Sequence, residues 1–309
     1  MRVFVAGATG AIGRPLVAQL VAAGHEVTGM TRSAAKADAL RAAGATPVVC
    51  DVFDEGLVDA IAAARPETLV HQLTDLPQVY DIRDYESFIG STNRLREEGT
   101  PRLLEAAHAA GANHFVAQSV AFLYAPKGSW VKDETAAVVS GDGVIGPAMR
   151  ATVAMEQSVL DAPQLDGAVL RYGFFYGPGT HYAADGSAAE QARKRQLPIV
   201  GRGTGVFSYV HVDDAASATV AAVERRATGL FNVCDDEPAP MREWVPAFAA
   251  AVGAPKPWRV PRFVARIFGG EVASFYATRL RGASNAKIKR ELGWSPRYAS
   301  WREGFREGL

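Results

Sequence analysis

The residues best suited to bind a ligand are three glycines near the beginning of the chain. They follow a β-branched, apolar segment, precede a helical one, and belong to the run Gly7-Ala8-Thr9-Gly10-Ala11-Ile12-Gly13. The first glycine permits a tight turn, the second lets the backbone approach a pyrophosphate, and the third allows close helix–strand packing. The helix N-terminus adds free N–H groups and a positive dipole end. This pattern predicts dinucleotide binding.

The end of the second predicted strand indicates which dinucleotide is bound. An NAD site usually has a carboxylate there, which accepts hydrogen bonds from the ribose. This chain instead has Thr31, Arg32 and Ser33. Arg32 can pair with a 2′-phosphate and stack on adenine, and Ser33 can donate to the same phosphate. The alternative is a solvated arginine in a loop, and we favour NADP(H).

Strand-like and helix-like segments alternate over the first two thirds of the chain. Buried strands are predicted at 3–6, 26–31, 47–51, 68–73, 114–119 and 167–172, with helices between them, among others at 14–23, 34–43 and 102–110. Such alternation is typical of right-handed crossovers. The sequence therefore predicts the α/β class with a Rossmann-type, doubly wound parallel sheet.

The change in composition and in predicted elements along the chain also suggests a division into two parts. We expect residues 1–175 to form the NADP(H)-binding Rossmann domain, with 206–235 returning to it. Residues 176–205 and 236–309 are expected to form a smaller, mostly helical C-terminal substrate-binding lobe. The Gly/Ala-rich stretch from 177 to about 189 is either a mobile lid or a plain surface connection.

Composition excludes several kinds of partner. The 309 residues include 33 basic and 33 acidic side chains, so the formal net charge is zero. Nothing suggests capture of nucleic acid or of an anionic membrane, and the apolar runs are too short to span a bilayer. A strand at the very start leaves no room for a secretory signal, so we expect a cytoplasmic protein. Cys50 and Cys234 have no metal-ligand spacing, so we expect no metal and two buried thiols.

The chain resembles the extended short-chain dehydrogenases, the NAD-dependent epimerase/dehydratase family, along nearly its whole length. Besides the glycine loop, the similar segments are 70–74, 93–100, 115–119, 170–179, 207–214 and 291–296. The resemblance implies that Asp51 and Val52 read the adenine, although Asp51 is equally suited to cap a helix. It also implies that the nicotinamide is bounded by Leu73, Thr74, Gln118, Tyr172, Gly173 and Phe174.

The departures from that family concern its proton chemistry. Members carry a tyrosine on one helix with a lysine four residues later, and none of the nine tyrosines here has such a lysine. Taking the register from Glu156, Ala148 stands at the tyrosine position and Thr152 at the lysine position. Val120 stands where the family has a serine. The chain therefore resembles atypical ketoreductases that act on aromatic polyketides without this pair.

Three residues are candidates for a substitute acid. Ser119 ends a predicted strand, where its hydroxyl faces the crevice or bonds its own backbone. Tyr124 either contacts substrate or packs. His181 lies in the possible lid and has a side chain suited to proton transfer near neutrality, or is simply solvated. A fourth hypothesis needs no protein acid, because a phenol next to a ketone can stabilise the alkoxide internally.

The resemblance and its departures together predict an NADPH-dependent ketoreductase that acts on a large aromatic or polyketide ketone. Two alternatives stay open. One is a non-catalytic NADP(H) sensor, which binds cofactor and turns nothing over. The other is a nucleotide-sugar epimerase or dehydratase, which requires the missing tyrosine. The sequence leaves open whether the protein is a monomer or a homodimer.

Overall fold

A computed structural model describes residues 1–76, 85–141 and 143–309, and only the backbone of Phe268. The strands are β1 Arg2–Ala6, β2 Glu26–Thr31, β3 Thr46–Val49, β4 Thr68–His71, β5 His114–Val120, β6 Val131–Lys132, β7 Asp166–Tyr172, β8 Phe174–Tyr176, β9 Ile199–Val200, β10 Val206–Phe207, β11 Tyr209–His211, β12 Gly229–Val233, β13 Ala239–Pro240, β14 Arg259–Val260 and β15 Gly282–Ala283.

The α-helices lie between and after these strands. They are α1 Gly13–Ala22, α2 Ala37–Ala42, α3 Leu57–Ala64, α4 Tyr85–Arg94, α5 Thr100–Ala109, α6 Gly146–Leu160, α7 Ser187–Arg193, α8 Val212–Glu224, α9 Met241–Ala251, α10 Arg262–Arg279, α11 Ala286–Leu292 and α12 Trp301–Glu307. A 3-10 helix spans Ala34–Lys36, and a π-helix spans Leu95–Gly99 between α4 and α5.

Seven of the described strands form one parallel sheet in the order β12-β7-β5-β4-β1-β2-β3. The chain winds outward from β1 through β2 to β3 and then returns to β4 on the other side of β1. This reversal opens a crevice at the carboxyl ends of β1 and β4, where doubly wound sheets bind their ligands. The Rossmann-type α/β fold predicted from the sequence is confirmed.

Two segments outside the seven-stranded sheet are held by short strand pairs or by packing. The first forms β10, which pairs with β13, and β11, which pairs with β8, with Ser208 between them. The stretch after Gly177 contains α7, and Tyr182 in it packs edge-on against Trp244 and Phe248, with ring centroids 5.7 and 5.5 Å away. Aromatic packing therefore fastens this stretch to the core of the lobe.

The described part of the chain offers neither a membrane-spanning helix nor a clustered metal site. None of its helices combines the length and apolarity needed to cross a bilayer. It holds no group of three or more His, Cys, Asp and Glu side chains arranged to bind a metal ion. Cys50 and Cys234 are buried free thiols, as expected from the sequence.

A buried ion pair joins α6 to the sheet. Arg171 on β7 donates from Nε and Nη2 to the two carboxylate oxygens of Glu156 on α6, at 2.7 and 2.5 Å. Ser119 on β5 donates to the same carboxylate at 2.5 Å. Arg171 also donates to the Tyr124 hydroxyl at 3.2 Å, and that hydroxyl donates to Asn232 on β12 at 2.7 Å. Bidentate geometry and shared hydrogen bonds satisfy both buried charges.

Glu156→Gln should destabilise the protein strongly, because it leaves the Arg171 guanidinium buried without a counter-charge. We expect the free energy of unfolding to fall by about 3–5 kcal/mol, measured by urea denaturation. The matched control is Glu98→Gln, which breaks an exposed ion pair with Arg94 and should leave the midpoint nearly unchanged. Equal midpoints for the two variants would contradict a stabilising role for the buried pair.

Candidate active site

The glycine loop has the geometry of a phosphate cradle. Gly7 has φ 91°, and a Cβ there would lie 2.7 Å from the Gln72 carbonyl oxygen. A Cβ on Gly13 would lie 2.1 Å from the Gly7 carbonyl oxygen, whereas Gly10 is exposed and meets nothing closer than 3.4 Å. Ile12 precedes α1 without a side-chain cap, and the first turn holds no acidic residue. Open space and free N–H groups at this helix end fit a pyrophosphate.

The rim beside this loop is formed by the ends of β2 and β3. Arg32 is exposed there, 3.8 Å from an oxygen of Asp51 and 3.3 Å from one of Asp75. Asp51 accepts a hydrogen bond from the Phe53 amide at 2.9 Å in a local turn. The residue that precedes α3 is Gly56, so Asp51 does not cap this helix. Beyond Arg32, the residues placed to hold an adenosine moiety are the half-buried Ser33, the buried Val52 and Thr9, whose hydroxyl is 3.2 Å from that of Thr31.

A small cleft lies where the chain leaves β5 and β7. It is lined by Ala121, Phe122, Gly173, Phe174, Ser208 and Arg281. Phe122 and Phe174 stack with ring centroids 4.5 Å apart. Leu73 and Thr74, which follow β4, and Gln118, which lies inside β5, are at least partly exposed. The backbone at Gly173 lies so close to the backbone at Ser208 that a Cβ on Gly173 would be 2.5 Å from the Ser208 carbonyl oxygen.

Tyr172 does not present its side chain to this cleft, contrary to the expectation for a nicotinamide neighbour. Its ring is fully buried, and its hydroxyl lies 2.7 Å from the Thr219 hydroxyl on α8 and accepts from Gln72 at 3.2 Å. Burial raises the pKa of Tyr172 to about 12. The side chain thus holds α8 against the sheet, and the residues after it reach the crevice.

The residues that the sequence comparison predicts to stand in place of the tyrosine and the lysine are small and buried. Ala148 and Thr152 on α6 are 3% and 0% exposed. The Ala148 carbonyl accepts from the Asn93 side chain at 3.1 Å. The Thr152 hydroxyl has no hydrogen-bond partner within the described residues. Neither an alanine nor a threonine at these places can act as the acid of a carbonyl reduction.

The three predicted acids are engaged elsewhere. Ser119 is fully buried and bound to Glu156, because it lies inside β5 on the face that packs against α6. Tyr124 is buried in the same network, and burial raises its pKa to about 12. The His181 Nδ1 atom lies 2.6 Å from the Ser187 hydroxyl, and burial lowers the pKa of His181 to about 4. That imidazole is therefore neutral near pH 7.

Two tyrosines that sequence reasoning missed meet next to the phenylalanines that line the cleft. The Tyr85 hydroxyl on α4 lies 2.9 Å from the Tyr276 hydroxyl on α10. The Tyr276 ring is edge-on to both Phe122 and Phe174, with centroids 6.2 Å away in each case. Behind the pair lies the buried Arg96, whose charge counteracts the rise that burial causes in the pKa of both tyrosines.

Known proteins with a similar sequence belong to a family that binds a nicotinamide dinucleotide. A match to the NAD dependent epimerase/dehydratase family spans residues 3–234. A Streptomyces sp protein described as 3-diazoavenalumate denitrifying reductase is 47% identical over 309 residues, which cover 99% of each chain. Because the relative is described as a reductase and is similar over its whole length, this identity supports an oxidoreductase activity for the chain.

Solved structures share the fold over almost the whole chain. The UDP-glucose 4-epimerase of Thermus thermophilus, in complex with NAD, is 26% identical with a TM-score of 0.73, covering 99% of this chain and 97% of that one. The human epimerase family protein SDR39U1 (isoform 2), with NADPH, is 22% identical with a TM-score of 0.76, covering 99% and 98%. The glycine loop and the 26% identical Thermus thermophilus structure support a nicotinamide dinucleotide as cofactor, and the chain belongs to the NAD dependent epimerase/dehydratase family.

Proposed function

We propose that this protein is an NADPH-dependent reductase that replaces the diazo group of an aromatic substrate with hydrogen. The observation that carries the proposal is the pair of small, buried residues Ala148 and Thr152 on the helix that would otherwise carry the acid. The 47% identical Streptomyces relative is named for a diazo substrate and for a denitrifying reduction. A reaction that needs a hydride and no protein acid is compatible with the small residues on the helix and with the reaction named for the relative.

The chemistry of such a reduction balances without a proton donor. A nicotinamide dinucleotide held by the glycine loop and the rim around Arg32 would supply the hydride, which the ring carbon that carries the diazonium group accepts. That carbon forms a C–H bond, its C–N bond breaks, and the bonding pair leaves with N₂. No oxyanion is left on the reacting carbon, whereas carbonyl reduction leaves an alkoxide that must be stabilised and protonated. The role left for the protein is to align the two reactants and exclude water.

The preference for NADPH is supported by the rim around Arg32. The guanidinium is exposed at the end of β2, and Ser33 follows it. Arginine matches the geometry of a phosphate with paired donors. Asp51 and Asp75 lie within 4 Å of the guanidinium and orient it toward the rim.

A ketone group on a large aromatic substrate is the second candidate for the group that accepts the hydride. The Tyr85–Tyr276 hydroxyl pair beside the cleft favours it, because one of these hydroxyls can donate to a developing alkoxide. Sugar epimerisation is less compatible with the site, since it needs a base at the position that Ala148 occupies. Both acceptors suit the aromatic wall formed by Phe122 and Phe174.

Isotope labelling separates these functions. The enzyme is mixed with NADPH carrying deuterium at C4, on one face or the other, and with a panel of arenediazonium salts and aromatic ketones. We expect N₂ release and deuterium on the ring carbon that carried the diazo group, for one cofactor face only, measured by gas analysis and product mass spectrometry. Samples without enzyme correct for direct reduction of the salt.

Other outcomes of that experiment have definite meanings. Deuterium on a carbinol carbon, with the diazonium salts untouched, would move the assignment to a ketoreductase. Saturable NADPH binding without transfer to any acceptor would support the sensor and refute both reductases.

Arg32→Ala tests the cofactor assignment. We expect KM for NADPH to rise by about tenfold or more, because a charge-assisted contact to the 2′-phosphate is lost, while KM for NADH changes little. The control is Arg41→Ala on α2, an exposed residue paired with Asp38. Wild-type preference for NADH, or an equal effect of Arg32→Ala on both cofactors, would contradict the assignment.

A further inference from the structure

We infer that a groove beside α10 binds the carboxylate of an acidic aryl diazo substrate, with Arg262 and Arg279 as the partners of that carboxylate. The inference rests on the proposed function for the reacting group, because it names the class of diazo compound that is reduced. Its own support comes from the C-terminal lobe. The groove shares no lining residue with the glycine loop or with the rim around Arg32.

The groove is shaped by a sharp bend in α10. Gly270 in the middle of this helix has φ 75° and ψ −179°, a backbone conformation essentially confined to glycine. Positions 262 and 274 would lie about 18 Å apart along a straight helix, yet the Arg262 Nε atom donates to the Ser274 hydroxyl at 3.1 Å. An ion pair between Arg266 and Glu271 also spans the bend. Residues from both arms of the helix therefore line one groove.

The size and the apolar surface of the groove suit an aromatic or unsaturated chain. The groove encloses about 660 Å³, within the range of small-molecule sites. Its apolar lining consists of the buried Phe275 and of two exposed residues, Val144 and Phe263. Apolar walls next to charged side chains match a ligand that has an apolar arm and a charged end.

The charge of the groove is predominantly positive. Arg262, Arg266 and Arg279 line it, together with one carboxylate, that of Glu271. Arg266 is neutralised by its ion pair with Glu271. Among the residues that the structure describes, Arg262 and Arg279 have no carboxylate at ion-pair distance, since Arg262 bonds a hydroxyl and Arg279 lies over a ring. Two guanidinium charges in one groove are thus left to attract an anion.

The orientation of Arg262 favours a carboxylate as that anion. Its Nε atom is held by Ser274, which is 3% exposed and lies on the other arm of the helix. Its two Nη groups donate to no described residue, and their fork matches the two oxygens of one carboxylate. The Arg279 guanidinium carbon lies 5.8 Å from the centre of the Phe275 ring. The second charge therefore stands beside the apolar wall, where the end of an apolar arm would lie.

The groove adjoins the crevice through Tyr276. The Phe275 ring, which lines the groove, is edge-on to the Tyr276 ring with centroids 6.0 Å apart. The Tyr276 ring is in turn edge-on to Phe174, which follows β7. Val144, on the groove, lies four residues before Ala148. An apolar arm of a few bonds is therefore enough to join a carboxylate in the groove to a ring at the crevice.

Binding of a simple acid tests the groove without turnover. Cinnamate and its methyl ester are titrated by calorimetry into the NADP⁺-loaded protein. Cinnamate should bind about tenfold more tightly than the ester, and Arg262→Gln and Arg279→Gln should each remove most of this preference, because charge-assisted hydrogen bonds are lost. The control is Arg290→Gln on α11, an exposed arginine paired with Glu291. Equal affinities of the wild type for acid and ester would overturn the inference.

Glu271→Gln should have the opposite effect. This change removes the carboxylate that neutralises Arg266, so a third guanidinium becomes available to the ligand. The affinity for cinnamate should rise about threefold, while the affinity for the ester stays the same. A selective gain of this kind does not arise from a damaged fold. Weaker binding of cinnamate by this variant would contradict the charge argument and overturn the inference.

Turnover connects the groove to the proposed reduction. 4-(2-Carboxyethyl)benzenediazonium and its methyl ester are compared as substrates with NADPH. The acid should have about a tenfold lower KM with a similar kcat, because the carboxylate contributes to binding alone, and cinnamate should inhibit competitively. Selective binding of cinnamate with no reduction of either salt would refute the proposed function and leave the carboxylate site standing. Reduction of both salts with equal KM would overturn the inference and leave the proposed function intact.

Discussion

The ion pair between Glu156 and Arg171 determines where α6 lies, and the chemistry of the site depends on that helix. The pair is buried, bidentate and shared with Ser119 on β5. Because it fixes both the height and the rotation of α6, it also fixes the places of the residues one and two turns earlier, Thr152 and Ala148. Both residues are small and buried, and neither side chain can protonate a carbonyl oxygen.

The distribution of polar groups follows from this arrangement. Hydroxyls near the end of β5 are used by the scaffold, since Ser119 and Tyr124 both bind within the network around Arg171. The cleft itself is lined by the stacked Phe122 and Phe174 together with Ser208 and Arg281, and the Tyr276 ring packs against the edges of the two phenylalanines. This aromatic wall aligns a flat substrate by contact and excludes water. An acceptor that releases N₂ suits this environment better than one that requires a strong acid.

The fold was largely predictable, and the site only in part. Alternating apolar runs and the spacing of Gly7, Gly10 and Gly13 predict the parallel sheet and the phosphate cradle, because both depend on local sequence. The role of Ser119 was missed because β5 was expected to end there, whereas Ser119 lies inside the strand and shares the face of Phe115 and Ala117, which pack against α6. The Tyr85–Tyr276 contact joins residues 191 positions apart. Arg96 reaches it from a π-helix, a feature that often marks functional sites but has no signature in the sequence.

The central claim, hydride delivery without a protein acid, is tested most directly by single-turnover kinetics. Cofactor oxidation by an arenediazonium substrate is followed by stopped flow, with C4-deuterated and ordinary NADPH, in H₂O and D₂O, across the pH range in which histidine titrates. The account predicts a primary isotope effect from the cofactor, the same rate in both solvents, and a rate independent of pH. A slower reaction in D₂O, with a rate that falls as a single group loses its proton, would show that a protein acid takes part and would contradict it.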